Sequence, residues 1–260
     1  VRMTDVSVIG CGHMGSALIR GLDRTGTHRV VACDLDTSAL EAVEPYCAET
    51  TTDIAAAADA DVVFVAVKPK VIAAVLGDLD LPADATLVTI AAGVPRSFVE
   101  SHTDATVVRV MPNLAAELGE TAAAVSWDAV DDDVRDMLDD LGEFVEIEED
   151  RMDVATALNG SGPAFVYYLI GAMRKAAVAE GLDPDAAATL AAQTFKGAAE
   201  TVVRSDESVE ALIDAVATEG GTTIEGMEVL WDSDVESVLA ETLGAAAERS
   251  RELAGGFDDE

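Results

Sequence analysis

Three glycines, Gly10, Gly12 and Gly15, stand at the spacing G-x-G-x-x-G where the apolar run over residues 6–9 ends and an amphipathic run over residues 16–22 begins. Glycine at the first position lets a buried strand turn sharply. At the second it lets the backbone approach a pyrophosphate, and at the third it lets the next helix pack close to the strand. With His13 and Met14 between them, the helix start turns free N–H groups and the positive end of its dipole toward the phosphates. The chemistry is dinucleotide binding, against the alternative of a tight structural turn. Asp34 closes the strand-like run 29–33. A carboxylate there accepts hydrogen bonds from the ribose 2′-OH of NADH and repels the 2′-phosphate of NADPH; the competing reading is a plain cap for a helix over 37–43. Val67, Lys68 and Pro69 close the apolar run 60–67, at a strand's carboxyl end, where ligands bind in open α/β sheets. Ala91, Ala92 and Gly93 after residues 85–90, and Met111, Pro112 and Asn113 after 106–110, offer backbone groups in the same relation to a strand.

Two groupings in the second half carry further chemistry. Asn159-Gly160-Ser161-Gly162-Pro163 lies inside a helical pattern, where glycine costs about 1 kcal/mol and proline about 3. Either the helix kinks there for packing, or small residues admit a ligand to the backbone beside the Ser161 hydroxyl. Gly220-Gly221-Thr222-Thr223 opens another helix and suits a carboxylate, bound by backbone N–H groups and a threonine hydroxyl; a simple N-cap by Thr222 or Thr223 is the alternative.

The elements that must hold these residues fall into two halves. Strand and helix patterns alternate from residue 6 to about 148, which predicts a doubly wound, mainly parallel sheet; runs at 121–126 and 144–147 are its last strands, flanking an acidic helix over 131–141. From residue 151 the strand signal ends and alanine dominates, which predicts helices over 150–180, 184–203, 208–217 and from 223 to the tail, with Asp183 capping the second. The expected fold class is α/β, with a dinucleotide-binding domain over residues 1–149 and an all-helical domain over 150–260.

Composition narrows the function classes. Asp and Glu number 50 against 16 Lys and Arg, a formal net charge of −34. Interspersed acids of this density load a folded chain with self-repulsion in dilute buffer and suit concentrated salt, where screening shrinks to about 3 Å. No basic stripe is present to displace counterions, so no nucleic-acid partner is expected. Cys11, Cys33 and Cys47 lack metal-ligand spacing and read as reduced thiols, so no metal is expected. The apolar runs 62–67 and 165–173 fall short of the roughly 20 residues of a membrane span, and a cytoplasmic protein without a membrane partner is expected.

Taken in order, Val8-Ile9-Gly10-Cys11-Gly12-His13-Met14-Gly15, Ala66-Val67-Lys68-Pro69, Ala91-Ala92-Gly93-Val94, Met111-Pro112-Asn113, Gly160-Ser161-Gly162-Pro163-Ala164 and Glu219-Gly220-Gly221-Thr222-Thr223-Ile224 resemble the pyrroline-5-carboxylate reductases over nearly the whole chain. The resemblance implies a Rossmann-like N-terminal domain and an all-helical C-terminal dimerisation domain, a homodimer through the C-terminal helices that can assemble further, and hydride transfer from NADPH or NADH to a small imino acid, giving L-proline. It also implies that Thr223, with the neighbouring glycine amides, holds the substrate carboxylate, and that Lys68, 91–93 and 111–113 line the cofactor cleft. The chain departs from the family's usual pattern at His13, Glu219 and Ala215. A protonated imine already carries the charge that hydride neutralises, so no side-chain base is obligatory. Rival readings are a reductase of another cyclic imine, a β-hydroxyacid dehydrogenase, which would need a lysine a turn past Asn159 where Lys175 lies too far, and a non-catalytic NAD(P)-sensing protein.

Overall fold

The computed structural model describes residues 3–130 and 132–257. Strand and helix alternate through β1 (Thr4–Ile9), α1 (His13–Thr25), β2 (His28–Cys33), α2 (Thr37–Val43), β3 (Glu49–Thr51), α3 (Ile54–Ala57), β4 (Val62–Val65), α4 (Ile72–Asp78), β5 (Thr86–Thr89), α5 (Arg96–Glu100), β6 (Thr106–Met111), β7 (Thr121–Ser126), α6 (Asp132–Asp139) and β8 (Gly142–Glu146). The strands form one eight-stranded sheet in the order β3-β2-β1-β4-β5-β6-β7-β8. Every pairing is parallel except that of β6 with β7.

The central strands are apolar throughout because both sheet faces are covered. In β4, Val62 and Phe64 enter a core with Leu18, Leu22, Met137 and Leu138, while Val63 and Val65 enter a second with Ile72, Leu76, Leu87 and Val99. Successive strand side chains point to opposite faces, so a four-residue run without polar alternation is what helices on both sides demand. Between β1 and β4 the strand order reverses, and their carboxyl ends open a crevice at that point.

After β8 come α7 (Met152–Ala155), a π-helical turn over Thr156–Gly160, α8 (Gly162–Ala179), α9 (Pro184–Arg204), α10 (Val209–Val216), α11 (Thr222–Trp231) and α12 (Val235–Ala254). The chain divides into two units, one of residues up to Ser161 together with Leu243 onward, the other Gly162–Thr242. This differs from the expected division at 149/150. Met152 is buried against Met111 and Ala124, and Glu149 pairs with Arg109 of β6, so the segment after β8 belongs to the sheet. The end of α12 belongs there too: Ser250 Oγ donates to Asp153 Oδ1 at 2.5 Å, and Phe257 meets the Phe98 ring edge-on.

Other expectations need correction. β3 carries no apolar run to announce it, since its Glu-Thr-Thr sequence sits at the sheet edge and pairs only with β2. The single helix expected over 150–180 is three pieces, and that expected from 223 to the tail is α11 and α12, parted where the Ser233 hydroxyl donates to the Leu230 carbonyl at 2.6 Å and accepts from the Val235 N–H. The acidic helix is α6; position 131, like 1, 2 and 258–260, lies outside the described residues.

In the second unit α8 packs along α9, and Asp183 caps α9 by accepting from the Asp185 and Ala186 N–H groups. Among its described apolar residues only Ala187 and Ala191 are buried, while Val166, Tyr167, Tyr168, Met173 and Leu190 are exposed. A helical unit that buries so little of its apolar surface has not completed a core alone. No helix among the described residues is long and apolar enough to cross a membrane.

Candidate functional site

The three glycines of the first loop are there for different reasons. Gly10 has φ +98°, and a Cβ on it would lie 2.7 Å from the Ala66 carbonyl oxygen. A Cβ on Gly15 would lie 1.8 Å from the Gly10 carbonyl oxygen. Gly12 would meet nothing within 4 Å. The chain's own packing requires the first and third, whereas no neighbour among the described residues requires the second.

Gly12 is also the N-cap of α1, with no side-chain cap and no acidic residue in the first turn. The helix ladder starts with the Ser16 N–H to the Gly12 carbonyl, 2.9 Å. Exposed His13 and half-buried Met14 thus stand in a first turn whose N–H groups no side chain caps among the described residues, and the dipole favours an anion there.

Asp34 follows β2 beside this loop. Its Oδ2 accepts from the Cys11 N–H at 2.6 Å and its Oδ1 from the Asp36 N–H at 2.9 Å. Capping of α2 falls instead to Asp36, which accepts from the Ser38 N–H and whose carboxyl is held below its ordinary value by that residue's hydroxyl and N–H. The alternative reading of Asp34 as a cap is thereby corrected. A cavity of about 540 Å³ adjoins the loop, with Gly10, Asp34, Leu35, Asp53, Val67 and Asp78 in its wall. Burial, and then the Asp34 charge, push the Cys11 thiol up to about 12 and the Cys33 thiol to about 11, so both stay protonated and inert at neutral pH. A larger depression, about 650 Å³, is walled only by α9 and the residue after it, which cannot enclose a ligand.

Farther along the strand ends, Lys68 is exposed ahead of Pro69, which opens a short 3₁₀ turn. Ala91 is buried and Ala92 half-buried in the turn after β5. Asn113 is buried after β6. Its Nδ2 donates to the Asn159 carbonyl at 3.1 Å, its Oδ1 accepts from the Ala115 N–H at 3.0 Å, and its own N–H donates to Thr121 Oγ1 at 3.0 Å. Both polar ends of its side chain are thus engaged within the chain.

Asn159, which sequence reasoning treated only as part of a helix-breaking group, is the other half of this joint. Its Nδ2 donates to the Ala122 carbonyl at 2.8 Å and to the Met111 carbonyl at the end of β6 at 2.5 Å, while its buried Oδ1 has no partner among the described residues. These bonds pin the π-turn, where the Ser161 N–H reaches back to the Thr156 carbonyl at 3.0 Å, against the sheet. The π-turn explains how the glycines and proline are tolerated, and such turns gather at functional sites.

In the second unit the N-cap of α11 is Gly221, with no side-chain hydrogen bond, so neither Thr222 nor Thr223 serves as the cap. Thr222 is exposed and Thr223 half-buried in the first turn, and Glu219 is exposed. The structure therefore gathers the glycine loop, Asp34 and the strand-end segments in one unit, and Gly221, Thr222 and Thr223 in the other.

Residues 149–253 match the family described as pyrroline-5-carboxylate reductase dimerisation, and residues 5–93 the family described as NADP oxidoreductase, coenzyme F420-dependent. The pyrroline-5-carboxylate reductase of Methanosarcina acetivorans is 34% identical over 95% of this chain and 97% of its own. Among solved structures, a Plasmodium falciparum pyrroline carboxylate reductase with NADP bound superposes with TM-score 0.86 at 27% identity, covering 98% of this chain and 99% of its own. That of Coxiella burnetii gives 0.87 at 28%, covering 97% and 99%.

Proposed function

The chain belongs to the pyrroline-5-carboxylate reductase family, and from that premise we propose that it reduces Δ1-pyrroline-5-carboxylate to L-proline, the last step of proline biosynthesis, with NADPH or NADH as cofactor. The observation that carries the reading is the open space beside Gly12 at an uncapped helix start, set where the sheet order reverses. The residues present fit a dinucleotide: the first turn of α1 for the pyrophosphate, Asp34 for the adenosine ribose, and Val67, Lys68, Pro69, Ala91 and Ala92 along the strand ends toward the nicotinamide. The cofactor, when bound, supplies the hydride that the carbon of the C=N bond accepts.

The chain's own part is orientation. Gly221, Thr222 and Thr223 hold the substrate carboxylate by backbone N–H groups and hydroxyls at the start of α11, where the dipole adds to the attraction. We assign to the substrate the Ser161 hydroxyl, which follows the π-turn and makes no hydrogen bond among the described residues. Exposed Glu219 leaves its charge to water, which spares the neighbouring anion site. No nucleophile is required, in keeping with the protonated thiols.

The exposed apolar side chains of the helical unit are covered by a second copy, so the working protein is a homodimer through these helices, and dimers associate further. The acidic surface suits a cytoplasm of high salt and offers nothing to a nucleic-acid backbone. The test is proline formation and dinucleotide oxidation with pyrroline-5-carboxylate across salt concentration; absence of both from dilute buffer to molar salt refutes the proposal. Light scattering that finds a monomer in high salt refutes the dimer.

A further inference from the structure

The wall of the adenosine side of the cleft is acidic where a 2′-phosphate would need a cation. Resting on the dinucleotide reading above, we infer that the protein selects NADH over NADPH, and that Asp34 is the residue that decides it. The carboxylate is fixed from two directions, by the Cys11 N–H at 2.6 Å and the Asp36 N–H at 2.9 Å. Each carboxylate oxygen keeps a free lone pair after those bonds, which the two ribose hydroxyls can fill. A 2′-phosphate would bring nearly two negative charges to the same place. Asp34 cannot swing aside cheaply, because its bond to Cys11 is part of the loop that carries Gly10 and Gly12.

The rest of the cavity makes the same choice. Asp53 and Asp78 also line it, and among the described residues no Lys, Arg or His does. Of the basic residues near in sequence, Arg29 is engaged with Asp5 and Glu49, and Lys68 and Lys70 are outside the lining set. Leu35, directly after Asp34, is 88% exposed and apolar at a place where an arginine would accommodate the phosphate.

The experiment is a titration of the full chain with NADH and, separately, NADPH, followed by the fluorescence of the reduced nicotinamide without substrate, at high and low salt. NADH is expected to bind at least tenfold tighter. Asp34→Asn, which keeps an acceptor for the Cys11 N–H, should narrow that ratio at least tenfold. Leu35→Arg, at an exposed position outside the core, should tighten NADPH more than NADH and so narrow the ratio. Equal or tighter NADPH binding by the unaltered protein, or a ratio unmoved by both variants, overturns the inference while leaving the dinucleotide cleft intact. If neither dinucleotide binds, the cleft reading falls and this one with it. If NADH binds selectively but proline is not formed, selectivity stands and the proposed reaction fails.

Discussion

Replacing Gly12 and Gly15 separately by alanine should divide stability from binding. At Gly15 the added Cβ would lie 1.8 Å from a backbone oxygen, more than 1 Å inside any real contact, so α1 must move off β1. Overpacking of that kind costs about 1–3 kcal/mol, and for a chain of this size each kcal/mol lowers Tm by roughly 2–4 °C. At Gly12 the added Cβ meets nothing within 4 Å, and φ −67° with ψ −166° is extended backbone open to alanine. There the poorer N-cap, about 0.5–1 kcal/mol, is offset by a similar loss of unfolded-state entropy, leaving stability within about 0.5 kcal/mol. The same methyl occupies the space assigned to the pyrophosphate, so dinucleotide affinity should fall at least tenfold, about 1.4 kcal/mol. Calorimetry of both variants with and without NADH reads the two effects together. A Gly12→Ala protein that binds NADH within twofold of the parent, or that melts as low as Gly15→Ala, would refute the reasoning.

Thr223→Val removes a hydroxyl from a carboxylate site; a hydrogen bond to a charged group is worth about 1.5–3 kcal/mol, so KM for pyrroline-5-carboxylate should rise about 10- to 100-fold with NADH affinity unchanged, and an unchanged KM removes Thr223 from the site. Glu149→Ala leaves the guanidinium of Arg109, 4% exposed, without its carboxylate and should cost about 3–5 kcal/mol in denaturant unfolding, whereas Glu117→Ala, which breaks the exposed pair with Arg20, should cost at most about 1 kcal/mol; similar losses would contradict the burial argument. Because folding raises the Cys11 thiol from 9.0 to about 12, the unfolded chain releases its proton first as pH rises, so stability is whole below about pH 9 and declines toward pH 12. Cys11→Ala should flatten that alkaline decline in Tm, and an unchanged slope would assign it elsewhere.

The cofactor half was legible because its signals are local. Three glycines, an acid after the second apolar run, and proline or small residues after later strands state a strand–turn–helix plan within a few residues, and a short continuous apolar run separated β4 from the helices around it. β3 escaped because an edge strand needs no apolar face, and with it went the position of Asp53 in the cleft. The joint between Asn113 and Asn159 escaped because its partners lie far apart in the chain and both residues look like ordinary turn formers.

By itself the sequence determined a dinucleotide-binding α/β half, an alanine-rich helical half, and the ordered motifs that mark the family, since each depends on residue type and near spacing. Only the tertiary structure decided that Gly10 and Gly15 answer to the chain's own packing while Gly12 leaves room beside it, because that distinction is a matter of which atoms crowd each Cβ. It alone joined Asp34 to the Cys11 N–H and set Asp53 and Asp78 in the same wall, since hydrogen-bond partners and cavity walls are assembled by folding from residues that the sequence keeps apart.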